Sequence, residues 1–203
     1  MTSDNEKEDL VISEFLRAIG AWRKYIVIGG GYALIIYRLY QVNEKKGNPP
    51  VGTHDIDSLI PRRVPTASTK DIGKHLIEAG FKQFCKDYDN PATEAYVKEI
   101  NGYEVEIECL TSEGREKGEN VVIAGAGVVA QPLTYLKQSL ENAMEFKTRS
   151  GDVGQVVSPG AWIFHKVLHF ASAQTKQRSI KIFMGSGMLH HSFRQFPRRL
   201  SSN

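Results

Sequence analysis

The sequence predicts an α/β (α+β) protein in which a small mixed sheet is flanked by helices and followed by a helical C-terminal part. Two observations support this fold class. Short runs of β-branched and aromatic residues, which are typical of strands, alternate with longer segments whose apolar residues recur at helical spacing. Later in the chain the patterns are mainly helical. We therefore expect a mixed core over 1–125, a helical part over 126–178 and an atypical basic tail over 179–203.

The first 80 residues supply two strand patterns and three helix patterns. The first helix carries its apolar residues on one face and ends at Gly20, and the short run "YIVI" has the composition of a buried strand. Ser68 or Thr69 is expected to cap the third helix, because its hydroxyl can accept a bond from a free backbone amide. In chain order we expect a helix over 9–20, a strand over 25–28, a helix over 32–42, a loop over 43–52, a strand over 54–60 and a helix over 69–80.

A strand–turn–strand pattern follows. Asn101-Gly102 stands between "AYVKEI" and "YEVEIECL" and predicts a tight β-hairpin, because both turn residues tolerate positive φ.

Two further helices are expected. One covers 132–144 with Pro132 near its first turn, and the other covers 158–173 with Ser158 as its cap and Pro159 at its first helical position.

Composition indicates a globular chain of one domain, with or without a small helical addition. Of its 203 residues 41% are hydrophobic and 24% are charged, which is ordinary. No apolar run approaches the roughly 20 residues of a membrane span, and the acidic N-terminus argues against a signal peptide. Cys85 and Cys109 lack metal-type spacing and are expected to be reduced thiols. We therefore expect a cytoplasmic protein with no membrane partner.

Three consecutive glycines, Gly29 to Gly31, connect the strand "YIVI" to the next helix. Bare backbone amides at a helix start suit a phosphate group, because the amides donate, the helix dipole favours negative charge and no Cβ blocks the approach. The alternative is a tight turn that needs positive φ and binds no ligand. The spacing matches neither a Walker A loop nor the G-x-G-x-x-G pattern.

Asp55 and Asp57 lie two residues apart on a predicted strand, so alternation directs both carboxylates to one face. Two adjacent like charges repel each other. A divalent cation such as Mg²⁺, which prefers hard oxygen ligands, would offset that repulsion. The alternative is a solvated pair of acids on an exposed face.

A third carboxylate is available in "YEVEIECLT", where Glu104, Glu106 and Glu108 share one face of a strand. An acid on a neighbouring strand would complete a two-metal site. Three acids in a row cannot all be ligands, so at least one is solvated. The whole row could instead be a charged, exposed sheet face.

Together these features resemble the nucleotidyltransferase fold of the polymerase-beta type. Residues 30–33, "GGYA", match its glycine turn at a helix start, residues 53–57, "THDID", its Asp-x-Asp strand, and residues 107–111, "IECLT", its later acid. The pattern is similar to small bacterial and archaeal nucleotidyltransferases with "GG-x-A" and "T-x-DID". That group includes toxins of toxin–antitoxin and abortive-infection systems. The resemblance covers residues 10–175.

The resemblance implies a metal-dependent enzyme that moves a nucleoside monophosphate from a nucleoside triphosphate to an acceptor hydroxyl and releases pyrophosphate. The implied catalytic residues and ligands of Mg²⁺ or Mn²⁺ are Asp55, Asp57 and Glu108, and the implied nucleotide-binding residues are Gly30, Gly31 and Lys166. Glu106 is the alternative third acid. The acceptor stays open among an RNA 3′ end, a protein hydroxyl and a small molecule, and an antitoxin is implied as a further partner.

Two departures from the family pattern leave other functions open. Val51-Gly52 stands where relatives often carry a basic residue, and the third acid is a Glu where Asp is usual. The chain could be a catalytically degenerate member that binds a nucleotide or a partner. It could also be a different α/β protein whose glycines form a turn and whose acids are solvated. Arg62 and Arg63 could hold an anionic acceptor or simply be exposed.

The basic tail departs furthest from the family. Residues 153–203 contain seven Lys or Arg and no Asp or Glu. A basic end can indicate a polyanionic partner. However, the tail lacks the Lys-Asp-Leu/Ile helix of relatives, and a one-base shift of one coding sequence for residues 179–188 restores Lys-Asp-Leu. We interpret the chain after Arg178 as a frameshifted or disordered end.

Overall fold

A computed structural model describes four stretches of the chain, which are residues 4–41, 52–87, 91–114 and 119–168. The chain divides into two compact units, 1–165 and 166–203. Of the second unit only residues 166–168, which are helical, are described. The tail over 179–203 and nearly all of the predicted loop over 43–52 lie outside the described residues, so their interpretation stays a prediction.

One mixed sheet forms the centre of the first unit and has nine strands in the described residues. The strands are β1 (Val27–Ile28), β2 (Asp55–Leu59), β3 (Lys82–Cys85), β4 (Glu94–Ile100), β5 (Tyr103–Ser112), β6 (Val121–Ile123), β7 (Val128–Leu133), β8 (Ala143–Lys147) and β9 (Val153–Val157). Seven lie in the order β3-β4-β5-β2-β1-β9-β8, while β7 pairs with the end of β5 and with β6. The pairs β2–β5, β1–β9 and β5–β7 are parallel, and the others are antiparallel.

Helices flank this sheet, which confirms the predicted fold class. They are α1 (Asp4–Ile19), α2 (Gly30–Ile36), α3 (Ile72–Glu78) and α4 (Leu136–Glu141), with a 3-10 turn over Gly20–Lys24 and a π-helical turn over Tyr37–Gln41. Residues 159–165 are also helical. The first helix ends directly before Gly20, where the sequence pattern predicted its end, and Gly20 has a left-handed conformation with a φ of 54°.

The predicted hairpin and the last helix start are both confirmed. Asn101 and Gly102 have φ values of 52° and 79°, so both adopt the positive φ that a tight hairpin turn needs. Ser158 caps the helix over 159–165, because its Oγ accepts a hydrogen bond of 3.3 Å from Ala161 N.

Two helix predictions need correction. The helix predicted over 69–80 is shorter, and its cap is Asp71 rather than Ser68 or Thr69, because Asp71 Oδ1 accepts a hydrogen bond of 2.7 Å from Lys74 N. The helix predicted over 132–144 is reduced to α4, because Pro132 lies in β7 and β8 begins at residue 143. The described part of the range 126–178, which ends at residue 168, therefore contains three strands besides its helices, since pairing with β5 and β1 extends the sheet there.

The core lies between the helices and one face of the sheet. Phe15 of α1, Trp22 of the 3-10 turn and Ile56 of β2 are all fully buried. Strand alternation then places the residues on either side of Ile56 on the opposite face of the sheet. That face carries the predicted acids. Within the described parts of the chain, no helix is long and apolar enough to cross a bilayer.

Candidate active site

The three glycines form a close contact between the start of α2 and the acidic strand β2. Gly29 N donates a hydrogen bond of 2.9 Å to Asp57 O. At Gly30, which has a φ of 56°, a Cβ would lie 1.7 Å from Asp57 Oδ2, and at Gly31 a Cβ would lie 2.6 Å from Thr53 Cγ2. The glycines are therefore required for the approach of the Asp57 and Thr53 side chains. The sequence predicted a turn or a phosphate cradle here, but not this contact.

A tryptophan binds the same turn. Trp162, in the helix over 159–165, donates a hydrogen bond of 2.8 Å from its indole Nε1 to Gly30 O. The indole nitrogen is only a donor, so the bond fixes the orientation of the Gly30 carbonyl. Sequence reasoning did not identify Trp162, because nothing local in "AWIF" indicates a partner 132 residues away.

The structure brings the predicted acids to one face of the sheet. The parallel register of β2 and β5 pairs Asp55 with Glu106 and Asp57 with Glu108. Neighbouring strands lie about 4.8 Å apart, so each pair is adjacent. Asp55 is exposed, whereas Asp57, Glu106 and Glu108 are partly buried. The choice between Glu106 and Glu108 as the third acid stays open, because each lies beside one aspartate.

Lys86 belongs to this cluster and was not predicted. Its Nζ lies 2.6 Å from Glu106 Oε1 and also forms an ion pair with Glu108 Oε1. The contact with Glu106 is an ion pair without hydrogen-bond geometry, whereas the contact with Glu108 is also a hydrogen bond. Lys86 follows β3, two strands away from β5, so only the three-dimensional register reveals its place.

Tyr32 lies behind the glycine turn and is buried. Burial raises the pKa of the Tyr32 hydroxyl, and the negative charges of Glu8 and Asp55 raise it further. The hydroxyl therefore stays neutral at physiological pH. Tyr32 thus packs under the turn and brings no charge to the face that carries the acids.

The basic residues singled out in the sequence have different environments. Arg62 Nη1 donates a hydrogen bond of 3.1 Å to Ser112 O at the end of β5, and Arg63 is exposed. Lys166 belongs to the second compact unit. Its assignment as a phosphate ligand therefore stays a prediction.

The residues of this face suit a divalent cation by their chemistry. Four carboxylates on two adjacent strands offer the hard oxygen ligands that Mg²⁺ or Mn²⁺ prefers. Asp55 and Asp57 are the residues that would hold such an ion. Among the described residues no three His, Cys, Asp or Glu side chains form a ready metal site, and both Glu106 and Glu108 contact Lys86 instead.

The glycine turn thus packs against an acidic strand of a mixed sheet, and the sequence places the chain in a family. A nucleotidyltransferase sequence profile matches residues 10–181, so the chain belongs to a nucleotidyltransferase family. Membership in this family implies nucleotidyl transfer in general and a nucleoside triphosphate as substrate.

The chain is similar to the crystal structure of a candidate nucleotidyltransferase from Thermotoga maritima, with 14% sequence identity and a TM-score of 0.44. The similarity covers 84% of this chain and 91% of that one. No curated protein matches the sequence.

Proposed function

We propose that the protein is a metal-dependent nucleotidyltransferase that moves a nucleoside monophosphate from a nucleoside triphosphate to an acceptor hydroxyl and releases pyrophosphate. The observation that supports this most strongly is the contact of the glycine turn with Asp57, on the sheet face that also carries Asp55, Glu106 and Glu108. It places bare backbone amides beside carboxylates, and triphosphate transfer needs both groups in one place.

The acids form the metal-binding part of the proposal. Asp55 and Asp57 would hold Mg²⁺ or Mn²⁺, and Glu108 would complete the set because it lies beside Asp57. Glu106 is the alternative. A bound divalent ion would neutralise charge on the triphosphate and make an acceptor hydroxyl more acidic.

The turn and the basic residues form the nucleotide-binding part of the proposal. The amides of Gly30 and Gly31 would donate to phosphate oxygens. The family resemblance implies Lys166 as a further nucleotide-binding residue. Trp162 holds the Gly30 carbonyl through its indole and so keeps the turn in one orientation. The preorganised turn would not have to reorganise during the transfer.

The acceptor and the biological role form the last part of the proposal. An RNA 3′ end, a protein hydroxyl and a small molecule each carry a suitable nucleophile. A cytoplasmic toxin that is controlled by an antitoxin partner fits the resemblance of "GGYA" and "THDID" to the small prokaryotic group. That role is supported by family analogy.

One observation favours a second candidate, a member of the fold that binds a nucleotide or a partner without catalysis. Both candidates for the third acid contact Lys86, and both are Glu where the family usually has Asp. Such a protein would bind a nucleoside triphosphate and release no pyrophosphate.

Transfer of label from each α-³²P nucleoside triphosphate into a whole-cell extract tests the proposal. The wild-type protein and the Asp55→Ala/Asp57→Ala variant are incubated with Mg²⁺ and extract, and RNA, protein and small molecules are separated afterwards. Label in one fraction with wild-type protein alone would support the enzyme and identify its acceptor class. Nucleotide binding without any label would favour the binding module.

A further inference from the structure

The backbone at Lys86 is fixed against β4. Lys86 N donates a hydrogen bond of 2.8 Å to Thr93 O, which continues the β3–β4 ladder past Cys85. Thr93 N in turn donates 3.1 Å to Asp87 Oδ1. The Lys86 side chain therefore starts from a position set by the sheet.

The side chain crosses β4 to reach the acids. In register, Phe84 lies beside Ala95, and Ala95 lies beside Glu108. Lys86 is two residues from Phe84, so it lies on the same face. Ala95 has the smallest side chain after glycine and is buried, which leaves a path over β4 for the lysine stem.

The charges in this cluster depend on one another. Glu106 and Glu108 are two residues apart on one strand face, and their side chains are 28% and 20% exposed. Two partly buried carboxylates this close repel each other unless a cation lies between them. The Lys86 ammonium, on a side chain that is 40% exposed, contacts both. Its charge offsets the repulsion.

We infer that Lys86 is a positioning residue that holds Glu106 and Glu108 with a single positive charge, and that a second divalent cation can use these carboxylates only by displacing it. The inference rests on the proposed function, in which Asp55 and Asp57 hold the first ion. Lys86 contacts Glu106 and Glu108, so it competes with an ion that uses these two carboxylates. The residue thus sets the affinity for the second ion and with it the metal concentration at which the full site assembles.

Titration of Mn²⁺ into the purified protein, followed by calorimetry and by electron paramagnetic resonance of free Mn²⁺, tests this inference. Lys86→Met removes the ammonium and keeps the length of the stem. Lys82→Met is the matched control, because Lys82 lies on the same sheet face and forms no ion pair within the described residues. Lys86→Arg keeps the charge and tests for rescue.

We expect Lys86→Met to tighten binding of the second Mn²⁺ about threefold to fivefold, the upper range of a partly screened ion pair. Lys82→Met and Lys86→Arg should change that affinity less than about twofold. An unchanged or weaker second site in Lys86→Met would overturn the inference. Binding of the first ion tests the proposed function separately. Retention of that ion in Asp55→Asn/Asp57→Asn would contradict the proposed function, whether or not Lys86→Met changes the second site.

Lysine acetylation gives a second readout that does not depend on activity. If Mn²⁺ displaces Lys86, its acetylation by sulfo-NHS-acetate should rise at least about threefold at saturating Mn²⁺, because the released ammonium is no longer paired. Lys82 in the same sample is the internal reference. Equal acetylation of Lys86 with and without bound Mn²⁺ would overturn the displacement step.

Discussion

Gly30 leaves the space that the Asp57 carboxylate occupies, since a Cβ at position 30 would lie 1.7 Å from Asp57 Oδ2. The same turn accepts the indole hydrogen bond of Trp162 at the Gly30 carbonyl. The turn and the acid strand are therefore one structural unit. A substitution in the turn should therefore perturb the acid strand, and a substitution in the strand should perturb the turn.

Replacement of Gly30 by Ala should disrupt this unit. Positive φ alone costs a residue with a Cβ about 1–2 kcal/mol, and the clash with Asp57 adds to it. Gly102→Ala is the matched control, because Gly102 has a φ of 79° and a Cβ there would meet nothing within 4 Å. Urea unfolding should show a larger loss of unfolding free energy for Gly30→Ala than for Gly102→Ala. Binding of Mn²⁺ should weaken only in Gly30→Ala. Equal losses in the two variants would contradict the contact.

Loss of the Trp162 indole donor should affect the site more than the fold. Trp162→Phe removes the bond to Gly30 O, and the control Trp22→Phe removes a bond of 3.0 Å to Lys70 O away from the site. The lost hydrogen bond alone should lower the free energy of unfolding by about 0.5–1.5 kcal/mol in each variant. Trp22→Phe should cost more than that, because Trp22 is fully buried and the smaller ring leaves a cavity. Only Trp162→Phe should weaken binding of a nucleoside triphosphate in a fluorescence titration. Unchanged nucleotide affinity would show that the carbonyl orientation does not matter.

The third acid can be assigned by comparing three variants of one strand. Because Glu108 lies beside Asp57 in the register, we expect Glu108→Gln to reduce transfer by about 100-fold and Glu106→Gln to reduce it less. Glu104→Gln, at an exposed position on the same face, should retain the wild-type rate. The reverse order of Glu106 and Glu108 would move the assignment to Glu106.

The α3 cap predicts a pH dependence of stability. Desolvation raises the pKa of Asp71, but the hydrogen bonds and the charge of Lys74 outweigh it and lower the pKa overall. Because the folded pKa lies below the unfolded one, near about 3.9, this contribution is present above the unfolded pKa and is lost as pH falls through the folded pKa. Asp71→Asn keeps a capping acceptor without the charge, whereas Asp71→Ala should cost about 1 kcal/mol.

Chemical unfolding across the acid range checks this dependence. The stability difference between wild type and Asp71→Asn should shrink as the pH falls below the unfolded pKa, since Asp71 is then protonated in both states. A difference that is constant down to the lowest pH at which the protein folds would contradict the contribution of the Asp71 charge.

Local patterns in the sequence predicted the parts of the structure that depend on near neighbours. Strand alternation predicted that Asp55 and Asp57 share one face of β2 and that Glu106 and Glu108 share one face of β5. The hairpin at Asn101-Gly102 follows from the turn chemistry of two residues. The start of the last helix follows in the same way from Ser158.

The remaining features depend on contacts between distant segments. Lys86 reaches β5 only because β3 and β4 pair in a particular register, and Trp162 reaches Gly30 across 132 positions. The range that contains β7 to β9 was expected to be mainly helical. The sequence pattern did not reveal that β7 and β9 pair with β5 and β1, which precede them by many residues. Single-sequence propensity does not contain these pairings.

Nucleotidyl transfer by Asp57 and its neighbours is the proposal on which the other functional predictions depend. It is tested by pyrophosphate release from purified protein with Mg²⁺, each nucleoside triphosphate and the acceptor fraction found by labelling, for wild type, Asp57→Asn and Glu104→Gln. We expect release by wild type and Glu104→Gln and a loss of at least about 100-fold in Asp57→Asn, with its fold intact by circular dichroism. Pyrophosphate release by Asp57→Asn at the wild-type rate would contradict the proposal.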